Sequence, residues 1–198
     1  MKKFVVAAIV ALAPAWGLSQ ILIGQTAGFS GTVASGVKET TEGAKLWIDS
    51  INAKGGIHGQ KIELLSMDDK FDPKISAANA KVLVEEKNVL ALFLNRGTPH
   101  AESIIPLLDQ HGVPLIAPST GAMSLHNPVR KHIFNVRATY QREAEKAVTH
   151  LHTLGITRIA VVHADDSFGA DGLEGARNGF RKAGFEPGGT IKAHRLQP

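Results

Sequence analysis

Two short polar segments carry the residue types best suited to hold a small anion: Asn95-Arg96-Gly97-Thr98-Pro99 and Pro118-Ser119-Thr120-Gly121. Each follows an apolar run of strand length, residues 90–94 and 114–117. In an open parallel sheet, ligands bind outside the carboxyl ends of the strands, where free backbone N–H groups and helix N-termini converge. The hydroxyls of Thr98, Ser119 and Thr120 add donors there, and Gly97 and Gly121 complete the candidate set. A carboxylate suits such a place, because the helix dipole and unpaired amides offset its loss of water. Pro99 is placed to open a helix with Thr98 as its N-cap, so capping and ligand contact satisfy the spacing of Thr98 equally. A plain polar turn satisfies the second segment.

Other reactive side chains lead away from catalysis. Asp68, Asp69 and Asp72 lack the ligand spacing and turn glycine of a calcium loop, and Asp72-Pro73 reads as an N-cap with proline at the first helical position. Asp165-Asp166 are neighbouring carboxylates, which do not by themselves define an acid/base pair. The nine histidines are scattered, and His150 and His152 fall on different faces of their helix, so no metal is expected. There is no Gly-x-Ser-x-Gly elbow, phosphate-binding loop or Gly-x-Gly-x-x-Gly fingerprint. No catalytic residue and no cofactor is therefore expected.

The elements that position the two segments follow from periodicity. Strands are expected at 21–25, 61–67, 90–94, 114–117, 132–136, 158–163 and 188–193, and helices at about 37–54, 73–87, 99–111, 141–154 and 169–184. Their alternation with short connections implies βα units and a parallel sheet. Three helices carry apolar stripes: Ala44, Trp47, Ile48, Ile51; Ala101, Ile104, Ile105, Leu108; and Ala144, Ala147, Val148, Leu151. The segment INAKGGIHGQKIELLSMDDKFDP, residues 51–73, reads as helix end, glycine turn, strand and new helix start in succession.

Residues 1–19, MKKFVVAAIVALAPAWGLS, have two lysines, an apolar stretch and small residues at two competing cleavage positions, after Ala15 and after Ser19, and read as a secretory signal with Ser19 favoured because Gln20 leads into the first strand. With no cysteine among 198 residues, there is neither a disulfide framework nor a lipid-anchored cysteine. Net charge is +4 and falls to +2 without Lys2 and Lys3, so nothing indicates nucleic acid as a partner.

Four motifs together resemble the periplasmic substrate-binding proteins of ABC transporters for branched-chain amino acids: IGQTAGFSG (23–31), INAKGGIHG with the following DD and DP, GVPLIAPST (112–120) and IAVVHADDSFGADG (159–172). The resemblance covers almost all of residues 20–193. It implies an α/β fold with a Rossmann-like parallel-sheet lobe, residues 20–137, and the beginning of a second similar lobe, residues 138–198. This is an incomplete type I periplasmic binding protein fold, truncated at the C-terminus. It also implies a small solute held between lobes, a membrane permease as partner and a periplasmic location. By the same resemblance Thr98 offers its hydroxyl to a ligand carboxylate, Ser119 its backbone carbonyl to an ammonium, and Gly121 stands where relatives carry threonine, leaving Thr120 or Ser119 to supply the hydroxyl. Phe168 stands for a ligand-covering tyrosine, and Tyr140 lies at the lobe junction. A sensing role for the same cleft is the alternative, and a periplasmic α/β enzyme the more distant one.

Overall fold

The computed structural model describes residues 20–194. The expected signal segment, residues 1–19, lies outside the described residues. Seven strands and five α-helices follow one another, alternating except between β4 and β5: β1 (Ile21–Ala27), α1 (Ala34–Ala53), β2 (Ile62–Asp68), α2 (Pro73–Lys81), β3 (Ala91–Phe93), α3 (Thr98–His111), β4 (Leu115–Ile116), β5 (Ile133–Phe134), α4 (Tyr140–Thr153), β6 (Ala160–Ala164), α5 (Ser167–Ala183) and β7 (Gly189–Ala193). β1 to β5 form a parallel sheet in the order β2-β1-β3-β4-β5, and β6 and β7 form a separate parallel pair.

The order places the helices. The chain steps from β1 to β2 in one direction and from β2 to β3 in the other, so right-handed crossovers put α1 on one face and α2 and α3 on the opposite one. Period-two alternation does the rest. Leu92, Leu115 and Ile133 pair in register and belong to the core cluster with Leu83, Ile104, Leu108 and Leu125. The next row, Phe93, Ile116 and Phe134, points to the other face, where Ile116 and Phe134 are exposed. Each fully buried leucine or isoleucine contributes roughly 1.5–3 kcal/mol, so the α2/α3 side carries most of the stability.

Helix ends follow local chemistry. Asp72 caps α2 as expected, its carboxylate accepting from the Lys74 amide at 2.7 Å, with Pro73 in the first turn. Asn52 closes α1 by exchanging two side-chain hydrogen bonds with the backbone of Ile62, tying the helix to the outermost strand.

The structure corrects the expected elements in three places. Trp47 is 69% exposed and not part of the buried stripe, because α1 turns Val37 and Thr41 inward and keeps Ala44, Ile48 and Ile51 only partly covered. The helix expected over 73–87 ends as a π-helical turn, Val82–Glu86, with the Lys87 amide bonded to the Val82 carbonyl. A 3₁₀ turn, Met123–Leu125, fills the β4–β5 connection, where no helix was expected, and buries Leu125.

Against the second sheet, α4 and α5 pack through Val148, Ala176 and Phe180. One carboxylate links the two parts of the chain. Glu102 on α3 accepts from Ser124 through one oxygen and from Ser167 on α5 through the other, both at 2.7 Å. Asp171 reinforces this by accepting from the Met123 amide and the Gln141 side chain.

Candidate functional site

β3 and β4 end in the same way. Leu94 and Ala117, each one residue beyond the paired Phe93 and Ile116, both adopt left-handed backbone at φ 51°. Non-glycine residues there are disfavoured by about 1–2 kcal/mol each, so the fold must hold them in place. It does so with the Leu94 amide on the Ile116 carbonyl, the Ala117 amide on the Phe134 carbonyl, and the buried Gln25 side chain donating to the Leu94 carbonyl at 3.3 Å. Gln25 is itself fixed by Ser66 at 2.9 Å and Thr41 at 3.0 Å.

Past the matched kinks the two chains rejoin. The Ser119 amide donates to the Asn95 carbonyl at 2.8 Å, and Arg96 bridges to Ser119. Further on, the Thr98 and Thr120 hydroxyls are 2.8 Å apart with both side chains buried. Three of the residues singled out from sequence therefore meet at one sheet edge. Removing either threonine hydroxyl strands the other, at about 1–3 kcal/mol.

Thr98 is not the N-cap. Gly97 occupies that position at φ 102° and ψ 144°, and Thr98 is the first helical residue with no capping bond from its side chain. The reason is local: Gly97 accepts a backbone conformation open in practice only to glycine, which starts the helix one residue earlier than Pro99 suggests. The His100 ring lies against Gly97 and stacks on Phe71 at 4.4 Å between centroids.

Gly121 is buried, and its carbonyl accepts from the Tyr140 amide at 2.8 Å. A Cβ there would lie 2.5 Å from the Ala138 carbonyl oxygen, so this backbone has no room for a threonine. Tyr140 stands under the Arg137 guanidinium and meets Phe168 edge to face at 5.0 Å. Their rings pack on each other.

Sequence reasoning missed three groups at this edge. Gln25 organises the kink, the Asn95 side-chain amide is buried with no hydrogen-bond partner among the described residues, and Arg96 borders a shallow surface depression. Nothing in the local sequence distinguishes them, since their significance lies in what they do or do not pair with.

At the tip of β2 two adjacent carboxylates are shifted in opposite directions. Burial pushes Asp69 up to about 6, against hydrogen bonds from the Phe71 amide and the Thr26 hydroxyl and with help from the charge of Asp68. Burial also raises Asp68, but the Ser30 hydroxyl and the amides of Lys70, Ser30 and Phe29 outweigh it and hold its carboxyl below the usual range. A folded pKa above the ordinary 3.8 means that the Asp69 contribution to stability is complete below that value and is lost as pH rises through about 6. Asp69→Asn is expected to flatten this part of the stability profile. Urea midpoints for both proteins between about pH 4 and 7 check it, and parallel profiles would contradict the assignment.

Residues 20–196 match the periplasmic binding protein family. The chain belongs to that family. Among its relatives, Leu/Ile/Val-binding protein homolog 3 of Brucella melitensis biotype 1 is 29% identical over 179 residues, covering 89% of this chain and 46% of the relative. The leucine-specific-binding protein of Salmonella typhimurium is 28% identical over 185 residues, covering 91% and 49%. A crystal structure of a substrate-binding periplasmic protein from Ralstonia solanacearum superposes with a TM-score of 0.84 at 29% identity, over 89% of this chain and 50% of that one. This periplasmic binding protein chain thus spans about half the length of the relatives it matches, and its α/β architecture is that of the family's type I members.

Proposed function

We propose that this chain serves an extracytoplasmic solute-binding protein that captures an amino acid or a related small carboxylate-bearing solute and delivers it to the permease of an ABC transporter. The observation that carries the reading is the junction of the two loops at the carboxyl edge of β3 and β4, closed by the Thr98–Thr120 hydroxyl pair. Two rigid loops side by side at the carboxyl ends of parallel strands form the kind of place where a small polar ligand is recognised, and this reading assigns Gly97, Ser119 and Gly121 to it. In this reading Thr98 and Thr120 brace the loops more than they touch solute, and Tyr140 and Phe168 form an aromatic border. Residues 20–137 make one lobe and residues 138–198 the start of the other. Relatives named for leucine, isoleucine and valine binding support the solute class, and membership of the periplasmic binding protein family supports a periplasmic location.

The test is a melting-temperature screen of the 198-residue protein against amino acids, aromatic acids and amides. A binding solute at one hundred times its Kd adds about 2.7 kcal/mol, a rise of several degrees for a domain of this size. Recovery of the solute unchanged separates capture from turnover. No shift across the panel would overturn the reading.

A further inference from the structure

The depression beside the paired loops contains one charge. Its wall is made by Gln25, Val37, Thr40, Leu94, Arg96 and Ser119, a guanidinium with no carboxylate. Among the described residues, Arg96 forms no ion pair or side-chain hydrogen bond, whereas Arg130, Arg137, Arg177 and Arg181 are all engaged. Arg142 and Arg158 also lack partners, but they stand in open solvent, where water serves their donors. Arg96 is half-buried. Its Nη1 lies 3.6 Å from where a Cβ of Gly36 would be, so the fork rests against the first turn of α1 at a point without a side chain. That turn has no acidic residue and no side-chain cap, so its dipole adds to the positive field.

We infer that Arg96 binds the anionic group of the solute and that the site selects small carboxylate anions of net negative charge over zwitterionic amino acids. The inference rests on the solute-binding reading and assigns its charge class. A guanidinium presents parallel N–H donors that match both oxygens of a carboxylate. The neighbouring Thr98 and Thr120 hydroxyls are neutral, buried and bonded to each other, which leaves Arg96 as the charged donor at this edge. A zwitterion brings its ammonium close to the same guanidinium, and the wall offers no carboxylate to receive it. Attraction and repulsion then largely cancel, while a simple carboxylate keeps the full attraction.

Calorimetric titration of the full chain at low ionic strength with benzoate, benzamide and L-leucine tests this. Benzoate is expected to bind at least about tenfold tighter than the other two. Arg96→Gln should weaken benzoate by about tenfold or more, the loss typical of a charged hydrogen bond, and leave benzamide unchanged. Gly36→Asp places a carboxylate beside the fork and should reproduce the loss with Arg96 intact; if Arg96→Gln fails to fold, this variant decides. L-leucine binding tighter than benzoate, or benzoate binding indifferent to both substitutions, overturns the role of Arg96 and leaves solute capture standing. Heat from none of the three overturns the inference, and with no melting shift across the wider panel it overturns the solute-binding reading as well.

Discussion

Gly97→Ala is expected to destabilise the protein by about 3 kcal/mol and to abolish solute binding. Two costs combine at this position. The backbone at φ 102° and ψ 144° is strained by about 1–3 kcal/mol for any residue with a Cβ. The new methyl would also lie 2.5 Å from His100 Nδ1, so the imidazole must leave its place on the Phe71 ring. Phe71 belongs to the turn that Asp69 organises, and disturbance at Gly97 therefore reaches the tip of β2 as well as the Thr98–Thr120 junction. Urea denaturation and the melting-temperature screen measure both effects. An unchanged midpoint would mean that the loop relaxes without strain and that its rigidity has been overstated.

Gly175→Val should be comparably severe in the C-terminal part, with a loss of about 3 kcal/mol or more from overpacking. A Cβ at Gly175 would press into the backbone of Gln141, and one at Gly179 would lie 2.7 Å from the Val148 Cβ. These glycines, four residues apart on α5, set how closely α4 approaches. Forcing the helices apart opens the Val148, Ala176 and Phe180 cluster and pulls on Asp171, which holds Gln141. Amide hydrogen exchange in α4 and α5 reports this opening directly. Gly172→Ala on the same helix meets nothing within 4 Å and is expected to raise stability slightly, so it serves as the control. Equal exchange in Gly175→Val and Gly172→Ala would refute close packing as the reason for glycine.

Most of the scaffold was legible because periodicity and end signals agreed. The α3 stripe lies buried at Ala101, Ile104 and Leu108, and the glycine turn at residues 55–56 separates α1 from β2 as the dipeptide suggested. The same reasoning failed at Trp47, where a large apolar side chain fitted the period but not the phase set by Val37 and Thr41. It also failed at residues 82–86 and 123–125, since a π turn and a 3₁₀ turn differ from an α-helix by hydrogen-bond register that composition does not encode. At the candidate site, residue types pointed to the right loops but not to the side chains left open. Thr98 and Thr120 look like ligand donors in sequence, and only the fold shows that their buried hydroxyls also meet each other. Arg96 looks like an ordinary surface charge, and what sets it apart is that no carboxylate is among the described residues lining its depression.

The matched left-handed residues Leu94 and Ala117 have an implication for how this scaffold diversifies. Upstream of them, inward and outward positions are dictated strand by strand, and exchanging a side chain disturbs the interior. Downstream, the kink severs the strict alternation, so burial is decided residue by residue, while the Asn95–Ser119 bond keeps both tips in step. Evolution or an engineer can exchange the half-buried tip positions Arg96 and Ser119 for a new chemical partner, while Asn95, Gly97, Thr98, Thr120 and Gly121 stay committed to the packing beneath them.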